Sequence, residues 1–343
     1  MNLPKLSEAN IRGKKVLLRL DLDVSEDISR VKAAEETLKF LIENLAKTII
    51  VGHKGRPGGV KDEKLSLEKM TEPLSQISGR GVDFSPDIIG ISAEKKISEL
   101  KEGALVLLEN LRFDPGEEKN DQVFSEKLAF MAEYYVNEAF AVSHREHASI
   151  VGVPRHLPHA AGIRFVKEIE KLDKVLADSR SPRIVIISGV KEDKVAMAKS
   201  LTDKFDKVLV AGRLPEYMGD NTVSIRSLEA SAQLIVANLI MDKEDITIHS
   251  IERFKTEIDK AKTIVLAGVP GKYEDEGHRQ GTKEIFEAVA ASGAYKVAGG
   301  GDTHVAINMF GLKDKFDWIS VGGGAMLEYF SKGTLPGIEA LIE

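Results

Sequence analysis

The chain has no cysteine in its 343 residues. That excludes disulfides, thiolate metal sites and cysteine nucleophiles, and it agrees with a reducing compartment. No apolar run approaches the length that spans a bilayer, and the first residues carry no apolar signal core. A cytoplasmic protein with no membrane role is expected. There is no excess of positive charge: the formal net charge is −6, so nothing global invites nucleic acid. Any anion site must be built locally. Short tandem repeats and low-complexity segments are also missing. So are three familiar signatures: the P-loop, a G-x-G-x-x-G opening and the G-x-S-x-G elbow.

What is present is a length suited to two domains and an alternation of short apolar runs with longer amphipathic stretches. Strands are expected near Val16–Leu20, Thr48–Val51, Ala104–Leu108, Tyr134–Val136, Ile184–Ile187, Lys207–Val210, Ile246–Ile248, Thr263–Leu266, Tyr295–Val297 and Trp318–Val321. Helices are expected over Val31–Asn44, Asp121–Glu133, Leu228–Met241 and Thr282–Ala291. Short runs apolar throughout suit parallel strands buried on both faces, so the fold class is α/β with two mostly parallel, helix-flanked sheets. A charged mid-chain helix with a narrow stripe of Val166, Ile169, Leu172, Val175 and Leu176 reads as a connector between lobes.

In open parallel sheets ligands sit beyond the carboxyl ends of the strands. The first four strand ends each bring arginine: Arg19 with Asp21 and Asp23, then His53 to Arg56, then Arg112, then Arg145. Arg30 follows the first of them. Arginine forms bidentate bonds to phosphate and carboxylate, so four such ends suggest a convergent anion site. His144, His147, His156 and His159 form two H-x-x-H pairs. Zinc binding is one reading of them, and contact with an anion is the preferred one.

The second half is rich in glycine instead. Gly299-Gly300-Gly301-Asp302-Thr303 and Gly322-Gly323-Gly324 each follow an apolar run and open a helical stretch. Bare N–H groups at a helix start admit a polyphosphate, and Asp302 could hold its magnesium. Lys191 and Lys194 follow another strand.

In their order along the chain these segments resemble the phosphoglycerate kinase family. Arg19-Leu20-Asp21-Leu22-Asp23-Val24 resembles its R-x-D-F-N-V, and Gly52-His53-Lys54-Gly55-Arg56-Pro57 its S-H-L-G-R-P. Leu108-Glu109-Asn110-Leu111-Arg112-Phe113 resembles L-E-N-x-R-F. The stretch from Glu138 to Ser149 resembles D-A-F-G-x-x-H-R-x-H-A-S, and both triple-glycine turns and Leu335-Pro336-Gly337 have counterparts.

The resemblance implies reversible phosphoryl transfer between ATP and the carboxylate of 3-phosphoglycerate, with Mg2+, by a monomer whose lobes close about a hinge. It implies substrate binding by Asp21, Asp23, Arg30, His53, Arg56, Arg112 and Arg145. It implies catalytic roles for Arg30, Lys191 and Lys194. Nucleotide would be bound by Lys191, Lys194, Glu274, Gly299 to Thr303 and Gly322 to Gly324, and metal by Asp302. The expected layout is a substrate lobe over 1–162, to which a tail of 328–343 returns, a connecting helix over 163–180 and a nucleotide lobe over 181–327.

The departures lie mostly in the second half. One residue is missing between Lys191 and Lys194, which turns a helical side chain by about 100°, and Ser188 replaces a glycine. Asp23 stands where the family has Asn. Two alternatives therefore stay open: a catalytically weakened binding protein, and a kinase of another small carboxylate.

Overall fold

The computed structural model of the chain describes residues 3–24, 28–177, 180–218 and 233–342. It divides into two compact units, Met1–Glu170 with Thr334–Glu343, and Lys171–Gly333. The closing stretch thus joins the first unit at Thr334, later than residue 328. Gly337 N donates to Ser143 O there at 2.8 Å.

In chain order the first unit holds β1 (Lys15–Arg19), β2 (Lys47–Val51), β3 (Val82–Ser85), β4 (Leu105–Leu108), β5 (Tyr134–Asn137) and β6 (His159–Ala161). They form one parallel sheet in the order β3-β4-β2-β1-β5-β6. Val16, Leu17 and Leu18 are fully buried, as are Ile49, Ile50 and Val51. Helices cover both faces of such a sheet, which is why the middles of its central strands are apolar on both sides.

The second unit holds β7 (Arg183–Gly189), β8 (Lys207–Gly212), β9 (Leu234–Val236), β10 (Thr263–Ala267), β11 (Tyr295–Gly299) and β12 (Trp318–Ser320). Its order is β12-β11-β10-β7-β8-β9, again parallel. From β7 the chain winds outward through β8 and β9, then restarts at β10 on β7's other flank. The crevice at the carboxyl ends of β7 and β10 is therefore the switch point where a ligand fits.

Helix Ile163–Ala177 spans the boundary of the two units. Its buried stripe is Phe165, Ile169, Leu172 and Val175, with Val166 and Leu176 only half-buried. Three expected elements are corrected. Within the expected helix 228–241, Leu234–Val236 is strand β9, and residues 228–232 lie outside the described residues. The expected strand 246–248 keeps a single antiparallel bridge, Leu239 to Ile246. The chain then enters helix Ile248–Lys260, because Thr247 caps its start by accepting from Ser250 N, and Ile251, Phe254 and Ile258 recur at helical spacing. The expected helix 31–44 is two helices, Ser29–Lys32 and Glu35–Glu43.

Candidate active site

The carboxyl ends of β1, β2, β4 and β5 bring the arginine-bearing turns of the first unit together. Arg30 Nη1 lies 3.3 Å from Asp21 Oδ2 and 3.4 Å from the Asp23 carbonyl. Asp23 Oδ1 accepts from Gly55 N at 2.8 Å, and its Oδ2 lies 3.8 Å from His53 Nε2. Arg112 donates through Nη1 to the Gly55 carbonyl at 2.6 Å. Asp21, Asp23, Arg30, His53 and Arg112 are thus joined through one backbone loop. Arg145 is half-buried and near enough to His53 and Arg112 to act on both electrostatically. Arg56 is exposed on the His53 loop.

The electrostatics are those of a site awaiting an anion. Burial first, then Arg19, Arg112, Arg145 and His147, holds the His53 imidazolium far below its ordinary range. Burial and the same guanidinium groups push His147 down to about 3. Burial, with Arg145 and Arg19 adding to it, lowers Arg112, and only the nearby acids oppose it. Arg112 Nε is 3.2 Å from Glu118 Oε1 but out of hydrogen-bond alignment, and Arg112 Nη2 is buried with no partner among the described residues. Donors buried without acceptors are costly, and a phosphate or carboxylate would satisfy them.

The second unit has a cleft of about 570 Å³ at its switch point. Lys191, Lys194, Glu274 and Asp302 all line it, from the segments that follow three strands, β7, β10 and β11. The missing residue before Lys194 does not remove it: its Nζ donates to the Ser188 carbonyl at 2.9 Å, beside the end of β7. Lys191, Glu274 and Asp302 are exposed.

The triple glycines lie differently from the expectation. None of them lines this cleft among the described residues. A Cβ on Gly323 would sit 2.7 Å from Gly300 Cα, so the two turns pack backbone to backbone. Gly301 and Gly324 have open space. Thr303 is buried, and its hydroxyl accepts from Gly268 N at 2.8 Å. It therefore positions the β10 turn rather than the cleft wall. At Gly268, φ is +101° and a Cβ would lie 2.4 Å from the Ser188 carbonyl, so only glycine fits between β7 and β10.

Three carboxylates, Glu244, Glu274 and Asp302, line this cleft. No group of three or more His, Cys, Asp or Glu side chains that could hold an ion occurs among the described residues. A single exposed aspartate on a cleft wall, completed by phosphate oxygens and water, is the donor set that Mg2+ takes. The residues present therefore fit a nucleotide-borne magnesium ion.

A family model described as phosphoglycerate kinase matches residues 6–244 and 220–332. The chain belongs to the phosphoglycerate kinase family. It is 34% identical over 391 aligned residues to a phosphoglycerate kinase of Fervidobacterium nodosum, covering 98% of each chain. It is 36% identical to one of Dictyoglomus turgidum, covering 98% of this chain and 97% of that one. The crystal structure of phosphoglycerate kinase from Pyrococcus horikoshii matches with a TM-score of 0.86 at 28% identity, over 99% of this chain and 98% of that one. The Coxiella burnetii enzyme matches with a TM-score of 0.81 at 26% identity, over 99% of both chains. Those alignments span more residues than this chain has, so the chain is a shortened family member. Membership makes it a phosphotransferase with an α/β fold of two parallel sheets.

Of the buried residues beside the first-unit site, Glu117 lay outside the sequence expectation, while His147 and Ser149 entered it only through an H-x-x-H pair and the resemblance. Ser149 Oγ donates to Glu117 Oε1 at 2.6 Å. Glu117 follows Pro115-Gly116 in an acidic run that reads as a solvated turn.

Proposed function

We propose that the chain transfers a phosphoryl group reversibly between ATP and the carboxylate of 3-phosphoglycerate. The observation that carries this reading is the convergence of Arg30, His53, Arg112 and Arg145 on one set of strand ends, with buried donors of Arg112 unsatisfied. In the forward step a carboxylate oxygen attacks the terminal phosphorus of ATP in line. The new O–P bond forms as the bond to the ADP oxygen breaks, and the leaving oxygen keeps the electron pair. The protein's part is positioning and neutralisation of charge spreading over the phosphoryl oxygens.

Arg112, Arg145, Arg56 and His53 hold the phosphate and carbon chain of 3-phosphoglycerate. Arg30, oriented by Asp21, places its guanidinium on the transferred group. Burial raises Asp21's pKa against the opposing pull of Arg30 and Arg19. Across the second-unit cleft Lys191 and Lys194 meet nucleotide phosphates, and Glu274 meets the ribose. Asp302 would hold Mg2+, which when bound shares the neutralisation of the phosphate charge. The triple-glycine turns support the helix starts behind that cleft. Monomeric state and cytoplasmic location complete the reading; among the described residues no helix is long and apolar enough to cross a membrane.

Incubation of purified protein with ATP, Mg2+ and 3-phosphoglycerate tests the reaction. ADP must form only when 3-phosphoglycerate is present. ADP formation at the same rate without the acid would refute the assignment.

A further inference from the structure

Arg19 closes β1 and is fully buried. Its Nε donates to Ser149 Oγ at 2.8 Å, and Nη1 donates to the Leu20 carbonyl. Its Nη2 lies 3.1 Å from His53 Nδ1. A guanidinium has five donors and no acceptor, and it does not lose its proton. The imidazole nitrogen that it meets must therefore present a lone pair. A ring with a bare Nδ1 is neutral and carries its proton on Nε2. That second nitrogen is the one 3.8 Å from Asp23 Oδ2, in the cluster assigned to substrate.

The guanidinium is itself held in place. Ser149 Oγ accepts from Arg19 and donates to Glu117 Oε1 at 2.6 Å, while Ser149 N donates to Glu117 Oε2 at 2.9 Å. Glu117 Oε1 stands 3.9 Å from Arg19 Nη2, and both side chains are fully buried. Tyr135 donates its hydroxyl to the Ser149 carbonyl at 2.6 Å. A buried ion pair alone would need none of this direction. Here the fork of Arg19 is aimed, and one tine ends on an imidazole.

We propose that Arg19, held by Ser149 and Glu117, is a positioning residue that fixes His53 as the neutral tautomer with its proton on Nε2. The substrate's anionic group then meets a donor whose state does not change across neutral pH. The charged groups facing His53 agree in direction. Arg19, Arg112, Arg145 and His147 all disfavour an imidazolium, as burial does. Asp23, 3.8 Å from Nε2, favours one, and it is exposed; Glu117 also bears a carboxylate nearby, 3.9 Å from Arg19 Nη2. The substrate role of His53 rests on the function proposed above; its tautomer does not.

The test is a long-range 1H–15N spectrum of the full-length, 15N-labelled, ligand-free protein, with His53 assigned through His53→Gln. The expected spectrum shows a lone pair on Nδ1 and a proton on Nε2, unchanged from about pH 5 to 8. In Arg19→Met the expected ring is a tautomer mixture that titrates nearer its ordinary value of about 6.5. Ser149→Ala loosens Arg19 without touching His53, and should move the same signals part of the way. In turnover it should raise KM for 3-phosphoglycerate several-fold, with kcat within about twofold. A proton on Nδ1 in the wild type, or a fixed tautomer surviving in folded Arg19→Met, would overturn the proposal. Should Arg19→Met fail to fold, the wild-type and Ser149→Ala spectra decide. Because no ligand is present, the result stands apart from whether the protein turns over 3-phosphoglycerate.

Discussion

Gly323 faces Gly300 so closely that a methyl group on the first would lie 2.7 Å from Cα of the second. The second triple-glycine turn is thus built around the first. Gly323→Ala must push two backbones apart, and overpacking of this kind costs roughly 1–3 kcal/mol. Gly324→Ala meets nothing within 4 Å and should change stability by less than about 0.5 kcal/mol. Thermal unfolding of both variants checks the contrast. Equal losses would show that close approach is not what requires the glycines.

Asp23 adds a carboxylate to a site of guanidinium groups, and its Oδ1 accepts from Gly55 N at 2.8 Å. Asparagine would keep an acceptor for that N–H while removing a charge that repels the anionic substrate. Asp23→Asn should lower KM for 3-phosphoglycerate by a few-fold, about 0.5–1 kcal/mol for an exposed charge. Steady-state kinetics measures this. A raised KM would mean that the carboxylate recognises something other than a simple anion.

Glu138 is buried and accepts from Thr37 Oγ1 at 2.6 Å, Arg164 N at 3.0 Å and Phe165 N at 3.0 Å. Burial still outweighs these bonds and raises its pKa from 4.5 to about 7. A carboxyl with a raised folded value binds its proton more tightly when folded. Stability therefore falls as pH rises from 4.5 to about 7 and is level above that. The penalty is on the order of 3 kcal/mol when complete. Glu138→Gln should lose this slope, whatever its stability at any one pH. Unfolding midpoints of both proteins from pH 5 to 8 test it, and parallel curves would contradict it.

Asp302 is the one carboxylate on the cleft assigned to hold magnesium. Even outer partners of a metal are worth 10–100-fold in affinity, so Asp302→Asn should raise the Mg2+ needed for half-maximal turnover by roughly tenfold or more. Metal-free ADP binding, followed by calorimetry, should not weaken. An unchanged magnesium requirement would place the ion elsewhere.

The central strands were legible because their middle residues, buried on both faces, form short continuous apolar runs. The edge strands β3 and β6 were not, since Val82–Ser85 buries only Ser85 and His159–Ala161 is three residues long. The boundary near 246 was missed because Ile246 and Ile248 look like strand while the cap at Thr247 starts a helix. The meeting of Asp21, Asp23, Arg30, His53 and Arg112 was legible because charged side chains that end apolar strands stand out in the sequence. Arg19 itself was visible only as part of a motif. Its hold on His53 depends on Ser149 and Glu117, 130 and 98 positions away, and no local pattern encodes that meeting. The glycines were correctly placed at helix starts. That they face each other is a property of neighbouring strands β11 and β12, not of either turn.

The most direct measurement is the kcat of wild type and Arg30→Ala with ATP, Mg2+ and 3-phosphoglycerate, alongside the ADP affinity of each. Arg30 Nη1 sits 3.3 Å from Asp21 Oδ2, in the first unit. The account predicts 3-phosphoglycerate-dependent turnover by the wild type and a kcat lower by roughly a hundredfold or more in Arg30→Ala, with ADP affinity unchanged. Equal turnover by the two proteins, or none by the wild type, would contradict it.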